Sequence, residues 1–223
     1  MAIAGDTFVE GSDVDLSAHT PTGANAGTSW DVLISGGNID VIAASDNAHD
    51  AASNNGNRYR MTNDLGFDEM DVQADVAFIS AGALTFPGVV GRVPNSGTGT
   101  AGVEFIFDVS AGGWIIDDNS GTSELLSEST PVGAKVYKLT IRANDMRGMV
   151  DGVEKVSIAS NAKTTNTRSG IILGNFAGGA VDRMSADNFI GTGVDTSASG
   201  QPTMRRWGGV PFLGGHASTG RSW

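Results

Sequence analysis

Met70-Asp71-Val72-Gln73-Ala74-Asp75-Val76-Ala77-Phe78 decides how the chain is read. Side chains alternate across an extended strand, so Met70, Val72, Ala74, Val76 and Phe78 share one face. Asp71, Gln73, Asp75 and Ala77 share the other. An apolar row backed by an acidic row predicts a strand with one face on a core and one in water. Working outward, short strand-like runs recur at 30–34, 38–43, 84–92, 102–109, 113–117, 135–143, 146–150, 153–158, 170–174 and 184–190. Asp151-Gly152 sits between two of them and is the preferred pair for a two-residue hairpin turn. Helical periodicity is nearly missing. Short strands at roughly 8–12-residue spacing, broken by Gly-rich turns, predict one antiparallel all-β sandwich. Residues 43–57 are polar throughout and read as a long loop, a usual place for binding.

Composition supports this and excludes other classes. Gly accounts for 32 of 223 residues, with no Gly-X-Y period, and only 17% of residues are charged. The net charge of −11 is uneven: residues 1–75 carry −11, residues 76–196 carry −3, and residues 197–223 carry +3. An acidic body argues against nucleic-acid binding, which needs clustered Lys and Arg. The absence of Cys removes disulfides and thiolate chemistry. No apolar run reaches the ~18 residues of a membrane span. The N-terminus shows no signal-peptide pattern, so synthesis in the host cytoplasm is expected.

Three segments are predicted: a sandwich over 1–191, a Gly/Ser/Thr linker over 192–202, and an interaction arm over 203–223. The arm holds Arg205, Arg206, Trp207, Phe212 and Trp223, the residue types of an interface anchor.

Several motifs carry a family resemblance. Asp6-Thr7-Phe8 and Trp30 open the chain, Val136-Tyr137-Lys138-Leu139 precedes Val150-Asp151-Gly152, and Asp187-Asn188-Phe189 closes it. Together they resemble the concanavalin A-like, laminin-G-type jelly roll, in which the last strand pairs beside the first. Arg206-Trp207-Gly208-Gly209-Val210-Pro211 is similar to the tail of small bacteriophage virion structural proteins. That likeness implies a capsid decoration or cement protein in the virion. It would be homo-oligomeric and would contact partners such as the major capsid protein.

Glu69-Met70-Asp71-Val72-Gln73 is similar to the Glu-x-Asp-x-Glu or Glu-x-Asp-x-x-Glu strand of family 16 glycoside hydrolases. The resemblance implies Glu69 as nucleophile and Asp71 as its helper. The third position, Gln73 or Ala74, cannot donate a proton. Asp75 lies about 20 Å from Glu69 at ~6.6 Å per residue pair, against roughly 5–5.5 Å in retaining enzymes. The expectation is therefore a non-enzymatic virion protein whose acidic stripe faces solvent. A glycan-binding module is the alternative, with Trp114, Tyr59, Asp117 and Asn119 as its site, and a family-16-like hydrolase stands behind that.

No cofactor is expected. Asp13 with Asp15, Asp46 with Asn47 and Asp50, and Asp117 with Asp118 and Asn119 offer oxygen ligands of the kind Ca²⁺ takes, but turns use the same residues. His19, His49 and His216 are too scattered for zinc.

Overall fold

The alternation at 70–78 builds one wall of a two-sheet sandwich. The computed structural model describes residues 3–23, 29–34, 39–50, 54–61, 64–79, 85–94, 102–175 and 184–196. Side chains are described for all of these except 32–34, 54–59, 61 and 175. In chain order the strands are β1 (Ile3–Asp6), β2 (Val14–Asp15), β3 (Trp30–Ile34), β4 (Ile39–Ile42), β5 (Asn47–Asp50) and β6 (Asn54–Met61). Next come β7 (Met70–Phe78), β8 (Thr85–Val93), β9 (Val103–Asp108), β10 (Gly113–Asp117) and β11 (Ser123–Ser127). The last are β12 (Lys135–Arg142), β13 (Asp145–Val150), β14 (Val153–Ala159), β15 (Arg168–Asn175) and β16 (Met184–Gly193).

One sheet has nine strands in the order β14-β13-β12-β7-β16-β5-β4-β2, with β1 also on β16. The other has seven, in the order β11-β10-β9-β8-β15-β6-β3. The pairings are antiparallel, and there is no helix among the described residues. The fold is the expected all-β jelly roll. The first strand lies beside the last, with Asp6 opposite Phe189.

Inward-facing rows from both sheets make the core. Val72, Ala74 and Val76 of β7 join Phe105 and Phe107 of β9, Trp114 and Ile116 of β10, and Tyr137, Leu139 and Ile141 of β12. Burying each large apolar side chain stabilises the fold by roughly 1.5–3 kcal/mol. Trp114 packs edge-on against Phe107 and Tyr137, each at 4.9 Å between ring centres. Gly148 of β13 must stay without a side chain, because a Cβ there would fall 2.2 Å from the Phe105 ring.

Two features fix the site-bearing strand. Asp151 (φ 50°) and Gly152 (φ 80°) both adopt the left-handed conformation of the predicted hairpin turn. Arg92 of β8 is fully buried, and its guanidinium donates to the backbone carbonyls of Asp68 (2.9 Å), Ala143 (3.0 Å) and Ala162 (2.8 Å). It therefore clamps the entry to β7 against two neighbouring turns.

The polar stretch 43–57 is not one loop. It contains β5 and the start of β6, and β5 pairs with β4 and β16. Backbone pairing sets strand membership here without an apolar pattern to announce it. β11, exposed at every residue, escaped the sequence reading for the same reason. β16 runs to Gly193, two residues past the predicted sandwich boundary at 191. The arm with Arg205, Arg206, Trp207, Phe212 and Trp223 lies outside the described residues, as does most of the 192–202 linker.

Candidate active site

β7 runs between β12 and β16 near the middle of the nine-stranded sheet, so its outward residues occupy the centre of that face. Across one boundary, Asp71, Gln73 and Asp75 stand opposite Thr140, Lys138 and Val136 of β12. Across the other they stand opposite Thr192, Ile190 and Asp187 of β16. Asp71 is held by Arg142 at 2.7 Å and Lys138 at 3.2 Å.

Asp75, four residues further along the strand, has no such ion pair among the described residues. Asp75 directly faces Asp187, and the register slips between Asp187 and Ile190 as the strand bulges. Asn188 takes a left-handed φ of 47° in that bulge. This turns its side chain between the two acids. Its Nδ2 donates to Asp75 Oδ2 at 2.8 Å and to Asp187 Oδ2 at 3.1 Å, while its backbone N–H donates to Asp187 Oδ1 at 2.6 Å. Sharing one amide nitrogen puts an upper limit of about 6 Å on the separation of the two Oδ2 atoms.

Burial raises the Asp187 carboxyl above its usual pKa, and repulsion from Asp75, Asp46 and Asp6 adds to that. The hydrogen bond from the Asn188 backbone opposes the rise but does not cancel it. Two facing carboxyl groups, one with its pKa raised by burial and by like charge, are the components of general acid–base chemistry at an acetal. A hollow lies on each side of the pair. Asp75, Val136 and Asp151 line one of about 180 Å³, and Asn188, Ile190 and Thr7 line another of about 160 Å³.

The residues singled out in the sequence fall elsewhere. Glu69 precedes β7, and its Oε1 accepts from the Ala143 N–H at 3.0 Å, capping the β12–β13 turn. Asp71 is held by its two cations. Glu69 and Asp71 are thus both engaged in local contacts on this face, and the facing carboxylates come from two strands. Trp114 points into the core, 2% exposed, and donates through Nε1 to Glu128. Asp117 ends the same strand, and Asn119 lies in the turn that follows it. Asp117 Oδ1 accepts from the Asn119 N–H at 2.7 Å, and Asn119 Nδ2 donates to Gly102 O at 2.9 Å. Trp114 and Asp117 thus point to opposite faces of β10 and do not form one site. The Tyr59 side chain lies outside the described residues.

Acidic loop residues are taken up by backbone donors. Asp118 Oδ1 accepts from the backbone N–H of Ser120 and Thr122, and Asp13 Oδ1 accepts from that of Ala43. No three acidic or histidine groups converge as a metal site among the described residues. Sequence reasoning also missed His19, which is buried between Asp6 at 3.0 Å and Glu10 at 2.7 Å. Asp6 also accepts from Trp30 Nε1 at 2.6 Å.

No protein-family model and no curated protein sequence matches the chain. Solved structures do. A lichenase, a β-1,3-1,4-glucanase derived from a mouse hindgut metagenome, aligns over 87% of this chain and all of its own, at 13% identity and a TM-score of 0.58. The structure described as an immunostimulatory antigen and pseudo β-1,3-glucanase of Mycobacterium tuberculosis covers 86% and 98%, at 14% identity and 0.57. The Bacillus licheniformis β-glucanase covers 83% and 99%, at 9% identity and 0.56. These likenesses overturn the expectation of a non-enzymatic bacteriophage virion protein, because the architecture matched over 83–87% of this chain is one found in proteins described as a lichenase, a β-glucanase and a pseudo β-1,3-glucanase. At these identities they establish the fold, and the chain is a concanavalin A-like jelly roll of the kind those enzymes share.

Proposed function

We propose that the chain is a glycoside hydrolase-like protein that binds a β-linked glucan across the outer face of the nine-stranded sheet and cleaves it between Asp187 and Asp75. The observation that carries this reading is the Asp75–Asn188–Asp187 cluster, two facing carboxyl groups joined through one amide. Asp187, its pKa raised by burial, protonates the glycosidic oxygen as the bond to the anomeric carbon breaks. Asp75 attacks that carbon and forms a glycosyl ester. Water then displaces Asp75, giving its proton to the Asp187 carboxylate, and both side chains return to their starting state. Asn188, exposed on the bulge, holds the pair together in the free protein, and its amide swings aside as the sugar enters between the two carboxyl groups. The hollows on either side give room for sugar units before and after the cleaved bond. The glucanase descriptions of the matched structures support a β-glucan as substrate.

The test is release of reducing ends from β-1,3- and β-1,3-1,4-glucans. Wild type should hydrolyse at least one, with Asp187→Asn and Asp75→Asn each reducing kcat by about 10²-fold or more. Wild-type protein inactive on both polymers, or variants as active as wild type, would sink the reading.

A further inference from the structure

The hollow beside Asp75 does not end at the sheet. It shares Lys135 and Asp151 with a larger cavity of about 390 Å³ at the edge of the sandwich, within the roughly 300–1,000 Å³ of ligand sites. The larger cavity opens where edge strand β11 of one sheet approaches edge strand β14 of the other. Two ion pairs set its polar walls. Lys155 Nζ donates to both oxygens of Glu128 at 2.9 and 3.0 Å, and Lys135 stands 3.0 Å from Asp151.

Three valines lie along its mouth and the way to Asp75. Val132 is 89% exposed, Val153 61% and Val136 36%. Val132 sits between Pro131 and the left-handed Gly133 (φ 73°), so the turn holds it outward. Behind the cavity wall the Tyr137 hydroxyl is fully buried without a hydrogen-bond partner, and its ring packs on Trp114.

We infer that this edge cavity is a second glycan subsite, holding a unit of a neutral β-linked glucan whose chain runs past Val136 to Asp75 and Asp187. A pyranose presents a C–H face and a rim of hydroxyls, and it needs apolar cover together with paired donors and acceptors. Val132 and Val153 supply the cover. Glu128 and Asp151 supply acceptors, and Lys135 and Lys155 supply donors. Each ammonium is already matched by a carboxylate, so the wall has no unmatched charge with which to select an anionic sugar.

Asp151 is tied to Val136 by reciprocal hydrogen bonds of 2.9 and 3.0 Å, and Val136 stands opposite Asp75. From Asp187 across β7 and β12 to Asp151 is three strand steps, about 14 Å at the usual spacing. The ligand is therefore a polymer segment and not a disaccharide. The identity of that polymer rests on the proposed glucanase reading.

The test titrates β-1,3-linked glucohexaose into the full chain by calorimetry, for wild type, Val132→Asp and Lys155→Ala, each carrying Asp187→Asn during the titration so that the hexaose is not cleaved, with thermal melts to verify folding. Val132 is so exposed that its replacement does not disturb the core. Both variants should bind hexaose about tenfold more weakly, raise KM on polymer by a similar factor, and leave kcat on a short aryl β-glucoside unchanged. Undiminished hexaose affinity in both variants would overturn the edge subsite and leave the Asp75–Asp187 reading in place. Hexaose binding that weakens with Val132→Asp, in a protein that hydrolyses no glucan, would support the subsite and remove the catalytic reading. Failure of wild type to bind hexaose overturns the subsite outright.

Discussion

The outer faces of the two sheets have opposite uses. On the nine-stranded sheet, β7 alternates between core and surface, and its outward residues include Asp71, held in ion pairs, and Asp75, facing another acid. On the seven-stranded sheet, β8 is buried at all nine positions. Phe86, Val90 and Val93 of β8 join Ile106 of β9 and Ile172 of β15 in a second apolar cluster, apart from the core. A strand covered on both faces can only pack. A strand covered on one face can hold charge in water, and the central position of β7 places that charge where a ligand can cross several strands.

The sharpest way to break this contrast is to neutralise the acid on the open face. Asp187→Asn should lower kcat by about 10²- to 10⁴-fold while leaving the urea midpoint close to wild type. With Asp187 as the proposed proton donor, wild-type kcat should fall as pH rises through its raised pKa, and a flat profile would remove it as the acid.

Inside the sandwich the effect should appear in stability. Phe105→Ala should cost about 3–5 kcal/mol in urea unfolding. Gly174→Ala should cost about 1–3 kcal/mol, since its Cβ would meet the Phe86 ring at 1.9 Å, and a neutral result would mean that the covered face is loosely packed.

A smaller effect belongs to the corner where β1 meets β16. Burial alone would lower the His19 pKa, but hydrogen bonds and charge from Asp6 and Glu10 outweigh it and leave the pKa raised. The stabilisation is therefore complete below the unfolded value of about 6.5 and is lost as pH rises through the folded one. For Asp6, burial pushes upward and the bonds from His19, Trp30 and Phe8 prevail, so its pKa is lowered. That contribution is present above about 3.9 and is lost as pH falls through the folded value. Thermal melts should thus peak between those pH values, and His19→Gln should flatten the decline on the alkaline side.

The smallest change is expected from Asp71→Asn. Its pairs with Lys138 and Arg142 are partly exposed and should contribute under about 1 kcal/mol, with kcat falling less than tenfold. If Asp71→Asn is as damaging as Asp187→Asn, the single-strand Glu69–Asp71 arrangement would replace the two-strand pair.

Much of the sandwich could be read along the chain because its signals are local. Period-two patterning at 70–78 and the Asp-Gly turn at 151–152 each depend on neighbours one or two residues away, and both stand in the structure. β5 and β11 could not be read that way. Asn47–Asp50 is largely polar, Ser123–Ser127 is exposed throughout, and only backbone pairing makes strands of them, with β4 and β16 for β5 and with β10 for β11. Glu69 drew attention through its spacing from Asp71, yet its carboxylate caps a turn at Ala143.

By itself, then, the sequence determined an all-β chain with β7 half-buried and acidic on its free face, since alternation of side chains is a property of the strand alone. Which carboxylate meets which was left to the tertiary structure. Asp75 and Asp187 lie far apart in the chain, and they face each other only through the β7–β16 register. The bulge at Asn188 then places one amide between them. Register depends on the packing of every inward residue of both strands, so it is a property of the assembled sheet and not of any single stretch.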